Sequence, residues 1–158
     1  MKREAELNWL PALLSPAEFM LNKIDEVGRN KATFFELLGG TEAGAANIRM
    51  LVEAFYDIMD SDAKASGIRT MHPADLTSAR EKLFMFLTGW TGGPQLYIER
   101  YGHPRLRARH MPFSIGESER DQWVYCMVAA MHQLEFDEKL MIKLTEQLYG
   151  VADFMRNR

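Results

Sequence analysis

The side chains best suited to chemistry lie between Tyr97 and Phe113, in the segment YIERYGHPRLRARHMPF. It carries four arginines and two histidines on a backbone interrupted by Gly102, Pro104 and Pro112. Guanidinium and imidazole groups at this density are consistent with three kinds of site. They are a solvated basic loop, a patch for phosphate or nucleic acid, and a metal site with a histidine ligand.

Acidic residues within the segment and just after it flank the basic patch and weaken the nucleic-acid interpretation. They are Glu99, Glu117, Glu119 and Asp121. The whole chain has a formal net charge of −3 at pH 7, which gives no overall attraction to a polyanion. We therefore rank nucleic acid last and predict no nucleic-acid partner.

His110 is the candidate metal ligand. A neutral imidazole is the usual axial ligand of haem iron in globins. Arg109 beside it matches the geometry of a carboxylate such as a haem propionate. A lone histidine is more often structural, so this interpretation needs support from the rest of the chain.

Helices must position these side chains, because apolar residues recur at intervals of three and four with no sustained strand-like alternation. Proline and capping residues predict helix starts at Ser15-Pro16, Thr41, Thr77, Ser118 and Asp137. Residues 60–73 are predicted to form a polar connector and residues 94–117 to be irregular or in short helical pieces. The sequence thus predicts an all-α fold of five or six helices.

The chain has 158 residues and 47% hydrophobic content, which suffice for one domain with a buried core. Each predicted helix carries an apolar face that can contribute to this core. In chain order the faces hold Phe19, Met20, Ile24 and Val27; Ile48, Leu51, Val52, Phe55 and Met59; Leu83, Phe86, Leu87 and Trp90; Trp123, Met127, Ala130, Met131 and Leu134; and Leu140, Leu144, Leu148, Val151 and Phe154.

Cysteine content and hydropathy indicate the cellular compartment of the protein. The single cysteine, Cys126, cannot form an internal disulfide and is interpreted as a small buried hydrophobe. No stretch has the pattern of a signal peptide or the apolar length of a membrane span, so no stable membrane insertion is expected. We expect a cytoplasmic protein.

Motifs in a fixed order resemble group II truncated haemoglobins over roughly residues 34–155. The matching pieces are Phe35-Glu36-Leu37-Leu38-Gly39-Gly40, Phe55-Tyr56, Gly92-Gly93-Pro94, Gly102-His103-Pro104-Arg105-Leu106-Arg107, Arg109-His110, Pro112-Phe113, Ile115-Gly116, and Glu119-Arg120-Asp121 with Trp123. Any single piece is weak support, whereas the set in order is specific.

The resemblance implies a 2-on-2 helical sandwich in which two helix pairs enclose haem b. It makes His110 the proximal iron ligand and places Tyr56 and Trp123 on the distal side. A phenol or indole donor there stabilises a bound gas that takes up partial negative charge. Both aromatic residues also fit an ordinary helical core.

Two further distal positions depart from the commonest family pattern. His72 stands where the family most often has an aromatic residue, frequently Tyr, and is expected either to contact the ligand or to face solvent at a turn. Ala79 stands where many globins have the distal gate histidine. Its small side chain cannot hydrogen-bond the ligand and leaves the usual entrance open.

The resemblance also implies the remaining contacts of the cofactor. Propionate contacts are expected from Lys82, Arg109 and Tyr97, although Lys82 also fits an ordinary surface lysine. The apolar pocket is expected to comprise Leu83, Phe86, Leu87, Phe113, Ile115 and Met127. His103 and His132 are predicted to be structural or exposed.

The predicted organisation is an N-terminal helical extension, 1–33, and a truncated globin domain, 34–158. The extension is expected to pack on the globin or mediate a homodimer rather than touch a membrane. Three function classes stay open. They are reversible binding of O2, and of NO or CO; haem redox catalysis on peroxide or nitric oxide with a partner reductase; and a haem-free helical module that binds proteins or nucleic acid.

Overall fold

The computed structural model describes residues 32–158, within which Thr33–Arg158 form one compact unit. This part of the chain contains helices and turns and no strand, which confirms the all-α prediction. The helices are α1 (Phe34–Leu37), α2 (Gly40–Ser61), a 3-10 turn (Ala63–Ala65), α3 (Ser66–Arg69), α4 (Thr77–Trp90), α5 (Leu96–Tyr101), α6 (Leu106–His110), α7 (Glu117–Gln133) and α8 (Glu138–Phe154). The helix predicted at Ser15 lies outside the described residues.

Four long helices form the core as two packed pairs, α2 with α4 and α7 with α8, joined by contact between α2 and α7. The apolar stripe predicted for α2 is buried throughout, from Ile48 to Met59. Met127 and Met131 bury the facing side of α7. Burial of these apolar side chains is the main force that holds the two pairs together.

Two of the four predicted helix starts in the described part are confirmed, and two are wrong. Helix α4 begins at Thr77, and the Asp137 carboxylate accepts a hydrogen bond from the Leu140 N–H at the start of α8. Helix α2 begins at Gly40 rather than after Thr41, because Gly39 turns the chain with φ 122° directly into the helix. Helix α7 begins at Glu117 rather than after Ser118.

Phe154 was predicted to point inward, and this is wrong. Its side chain is 59% exposed, whereas that of Met155 is buried at 8%. The buried stripe of α8 continues at helical spacing through Leu148, Ala152 and Met155, and Phe154 lies beside this stripe rather than on it. The Arg107 guanidinium lies 5.4 Å from the centre of the Phe154 ring and covers part of it.

The two predicted connectors contain more helical structure than their composition indicates. Residues 60–73 contain the 3-10 turn and α3, and residues 94–117 contain the two short helices α5 and α6. The second of these findings confirms the prediction of short helical pieces. Of the helices in residues 32–158, none is long and apolar enough to cross a membrane.

Candidate functional site

His110 is the last residue of the short helix α6 and is half-buried. Its Nδ1 lies 2.5 Å from the Leu106 carbonyl oxygen, one helical turn earlier. Because a carbonyl oxygen can only accept, in the neutral ring Nδ1 carries the proton and Nε2 keeps its lone pair. The imidazole is therefore in the tautomer that a metal ligand requires, and the helix backbone fixes it there.

Two arginines beside His110 bind backbone carbonyls of the protein. Arg107 donates to the Phe154 carbonyl at 3.2 Å, and Arg109 donates through Nε to the Pro104 carbonyl at 2.8 Å. Both side chains remain exposed at one face. These contacts order the basic segment, so it is not a loose solvated loop.

Tyr56 lies on α2 with its side chain buried, 5% exposed. Its ring packs edge-on against Phe55 and against the His72 imidazole, with centroid distances of 4.9 and 5.8 Å. Burial raises the pKa of the Tyr56 phenol well above its usual value, and the Arg80 charge opposes this only in part. The hydroxyl therefore keeps its proton and remains a donor. No group in residues 32–158 accepts a hydrogen bond from it.

His72 lies in the turn after α3, half-buried beside Tyr56. Its Nδ1 lies 2.8 Å from the Ile68 carbonyl, so in the neutral ring Nδ1 carries the proton and Nε2 accepts. Arg69 holds the turn itself, since its Nη1 donates to the Pro73 carbonyl and its Nη2 to the Ala74 carbonyl, both at 3.0 Å.

Trp123 lies in the second turn of α7 and reaches the same region through Phe55. The two rings meet edge-on with centroids 5.4 Å apart. In the described part of the chain no hydrogen bond engages the indole N–H. Phe55 thus contacts both Tyr56 and Trp123, and His72 contacts Tyr56, so the three predicted distal residues belong to one connected set of ring contacts.

The three side chains predicted to contact propionates also lie together. Tyr97 and Tyr101 pack with centroids 5.0 Å apart. The Arg109 guanidinium lies 5.8 Å from the Tyr97 ring centre and the Lys82 ammonium 5.7 Å from that of Tyr101. The Arg100 guanidinium also lies 5.4 Å from the Tyr101 ring centre. Helices α4, α5 and α6 therefore contribute three cations to one aromatic pair.

The predicted apolar pocket residues differ in burial. Leu87 and Met127 belong to the core, 3% and 1% exposed. Phe113 is 42% exposed. The others are half-buried, and these are Ala79, Leu83, Phe86 and Ile115. Half-buried apolar groups on α4 and on the loop after α6 leave apolar surface that a flat, apolar ligand can cover.

The remaining candidates have structural roles. His103 is exposed and its Nδ1 accepts from the Arg105 N–H at 3.1 Å, and His132 is exposed as well. Cys126 is fully buried, and burial raises the pKa of its thiol to about 12. Within residues 32–158 no group of three or more His, Cys, Asp or Glu side chains is placed to hold a metal ion.

Sequence reasoning missed three residues that position the site. Phe55 was assigned to the core stripe, and it is also the ring between Tyr56 and Trp123. Tyr101 follows Tyr97 by four residues, a helical spacing from which their contact could have been predicted. Asn157 hydrogen-bonds the loop after His110 from near the end of the chain, and no local pattern marks it.

Comparison with known proteins identifies the family. A family model described as bacterial-like globin matches residues 33–157, almost the whole described part. The chain belongs to this family. The group 2 truncated hemoglobin YjbI of Bacillus subtilis is 36% identical to this globin over 115 residues, which cover 73% of this chain and 85% of the relative.

Solved structures agree on the fold. The group II 2-on-2 hemoglobin of Agrobacterium tumefaciens superposes with a TM-score of 0.74 at 38% identity, covering 81% of this chain and 96% of that one. A truncated oxygen-avid haemoglobin from Bacillus subtilis superposes with a TM-score of 0.70 at 35% identity, covering 80% and 100%. This globin is a group II truncated haemoglobin, and the two helix pairs described above are its 2-on-2 sandwich.

Membership of the family implies a haem cofactor, and the residues present fit one. An axial ligand needs an imidazole nitrogen with a lone pair, which His110 Nε2 provides. Propionates need cations near the haem edge, and Arg109 and Lys82 lie together at the Tyr97–Tyr101 pair. Half-buried apolar groups such as Leu83 and Phe86 provide surface for the porphyrin.

Proposed function

We propose that this globin binds oxygen reversibly at the iron of haem b, with His110 as proximal ligand and Tyr56, His72 and Trp123 on the distal side. NO and CO are expected to bind at the same position. The haem supplies an iron atom with one coordination position for a diatomic gas. The chain supplies the ligand on one side and the polar surroundings of the gas on the other.

The Tyr56 hydroxyl is the observation that carries this proposal. It belongs to a side chain that is 5% exposed, it stays protonated, and no described group accepts a hydrogen bond from it. The hydroxyl is not among the fully buried polar atoms that lack a partner, so it borders open space in which a ligand can be its acceptor. A phenol donor at this position would favour a gas ligand that carries partial negative charge.

Trp123 and His110 add support from the two sides of the site. The Trp123 indole N–H is a second donor, and its ring contacts Phe55, which also contacts Tyr56. On the other side, the hydrogen bond from His110 Nδ1–H to the Leu106 carbonyl orients the ring and increases the basicity of Nε2. The oxygen-avid behaviour stated for the Bacillus subtilis haemoglobin, 35% identical, supports oxygen as the ligand.

Oxygen dissociation from the reduced protein tests the distal part. Tyr56→Phe and Trp123→Phe each remove one donor while keeping an aromatic ring. Loss of one such hydrogen bond is expected to speed dissociation by about tenfold in stopped-flow measurements. Tyr149→Phe is the matched control, because that residue lies on α8 beside Arg120 and not in the Phe55 cluster. Unchanged rates in both distal variants would refute the distal assignment.

Absorption and resonance Raman spectra test the proximal part. His110→Gly is expected to lose the ferrous five-coordinate spectrum and the iron–histidine stretching band, and added imidazole is expected to restore both. A variant that keeps both without imidazole would show that His110 is not the ligand. Rapid oxidation of the wild-type protein in air, without a stable oxygen complex, would instead favour redox chemistry with a partner reductase.

A further inference from the structure

The loop that follows His110 is held by one residue near the end of the chain, Asn157. The Asn157 Nδ2 donates to the Phe113 carbonyl at 2.7 Å and to the His110 carbonyl at 3.4 Å. The Asn157 Oδ1 accepts from the Ile115 N–H at 3.0 Å, and the Asn157 backbone N–H donates to the Ile115 carbonyl at 2.9 Å. One side chain and its own backbone thus bind three residues of the loop.

Helix α6 has little else to fix its position. It comprises five residues, none of them buried, so burial of its own side chains against the protein contributes little. Its C-terminal carbonyls lack partners inside the helix and must find them elsewhere. The Arg107 guanidinium binds the Phe154 carbonyl, so α6 is tied to the end of α8 at this point as well.

The segment that carries Asn157 is itself anchored. The Arg156 guanidinium donates to the Asp153 carboxylate at 3.2 Å and lies 3.7 Å from that of Glu117 at the start of α7. Arg120 on α7 also donates to Asp153, at 2.8 Å. Asn157 is therefore held against α7 and α8, and it can transmit their position to the loop after α6.

We propose that Asn157 is a positioning residue that sets the orientation of the His110 imidazole towards the haem iron. This inference rests on the proposed function, in which His110 is the proximal ligand. The His110 ring is bonded to its own helix at Nδ1, so its direction follows the direction of α6. The His110 carbonyl accepts from the Phe113 N–H at 3.0 Å, and the Asn157 amide is its second donor. When Asn157 no longer holds the backbone of His110, Phe113 and Ile115, the helix end and the ring can rotate together.

Two substitutions at this position separate the contacts. Asn157→Asp keeps an oxygen for the Ile115 N–H and replaces the amide donor with a carboxylate, which repels the His110 and Phe113 carbonyl oxygens. Asn157→Ala removes both contacts. Arg158→Ala is the matched control. Arg158 contacts Arg156 through its backbone carbonyl, which accepts at 3.3 Å, and the substitution keeps this carbonyl.

The readouts are the iron–histidine stretching band of the ferrous protein and the rate of haem transfer to an acceptor apoprotein. We expect Asn157→Asp and Asn157→Ala to shift or broaden the band and to speed haem loss by about threefold or more. Arg158→Ala is expected to match the wild type. Circular dichroism of the same samples establishes that each variant keeps its helix content, so that the band reports the orientation of the ligand.

His110→Gly in the same series separates the two proposals. If His110→Gly loses the band while Asn157→Asp and Asn157→Ala retain the wild-type band and haem-loss rate, the role of Asn157 is refuted and the ligand assignment stands. If His110→Gly retains the wild-type band, the ligand assignment fails, and the role of Asn157 fails with it.

Discussion

A histidine side chain presents two ring nitrogens, and a backbone contact at one of them decides what the other can do. His110 and His72 both use Nδ1 to bind a carbonyl four residues earlier. For His110 this leaves the lone pair that a metal needs. For His72 the same lone pair is a disadvantage on the distal side, because a neutral His72 cannot donate from Nε2 to a bound gas.

Substitution of His72 is therefore expected to affect oxygen retention less than substitution of Tyr56. We expect His72→Ala to change the oxygen dissociation rate by less than about threefold. Tyr56→Phe in the same assay is expected to change it by about tenfold. His103→Ala, at an exposed histidine outside the distal cluster, is the control. An equal effect of His72→Ala and Tyr56→Phe would mean that His72 donates to the ligand.

At the scale of elements, close approach between α1 and the turn after α4 explains part of the Gly92-Gly93-Pro94 motif. A Cβ added at Gly93 would lie 2.6 Å from two carbons of the Phe35 ring and 2.9 Å from the Thr88 carbonyl oxygen. Phe35 is buried, and the Phe35 N–H donates to the Thr91 carbonyl at 2.9 Å. An added methyl group would therefore require a shift of the Phe35 ring or of the Thr88 backbone.

Gly93→Ala is thus expected to lower the free energy of unfolding by about 1–3 kcal/mol through overpacking. Urea denaturation followed by circular dichroism measures this change. Gly150→Ala is the matched control, since it lies within α8 where an added Cβ meets nothing within 4 Å. That substitution is expected to raise stability by up to about 1 kcal/mol. If Gly93→Ala leaves the free energy of unfolding unchanged, α1 can shift away from the turn.

The helix starts show when a capping residue can be predicted from neighbouring residues in the sequence. Asp137 was predicted correctly because the side chain and the N–H that it caps are three residues apart. Thr41 and Ser118 have the right residue type, but the helices begin earlier. At α7 the Glu119 carboxylate accepts from the Gly116 N–H at 3.1 Å, so the helix begins at Glu117, before the predicted Ser118 cap.

At the scale of the whole molecule, a network of charges connects α7, α8 and the end of the chain. The Asp153 carboxylate accepts from Arg120 at 2.8 Å and from Arg156 at 3.2 Å. The Arg120 hydrogen bond lowers the pKa of Asp153 most, Arg156 lowers it further, and burial opposes both in part. A carboxyl group whose pKa is lowered by folding stabilises the folded state above its unfolded pKa, about 3.9. That contribution is lost as the pH falls through the lowered folded value.

Asp153→Asn is expected to reduce the free energy of unfolding at pH 7, and the difference from wild type is expected to shrink as the pH falls below about 4. Urea denaturation of the full chain at several pH values checks this. Because Asp153 is partly exposed, salt screens its ion pairs. The stability difference between Asp153→Asn and wild type is therefore expected to fall markedly as the salt concentration rises. Glu135→Gln, at an exposed residue after α7, is the control. A difference that does not vary with pH would mean that the ion pairs contribute nothing to the stability measured.

The sequence by itself determined the all-α class, the long helices and the family. These rest on periodicity, caps and motif order, which depend on residues close together in the chain. It also named Tyr56, His72, Trp123 and His110 through resemblance. Tertiary structure decided which nitrogen each histidine leaves free, that Phe55 joins Tyr56 to Trp123, and that Phe154 faces outward.

The role of Asn157 illustrates the physical reason. Its partners lie more than 40 residues earlier in the chain, and nothing between them indicates that they meet. They meet because α7 and α8 pack against each other and bring the end of the chain to the loop after α6. Packing between elements, rather than any local pattern, determines such contacts.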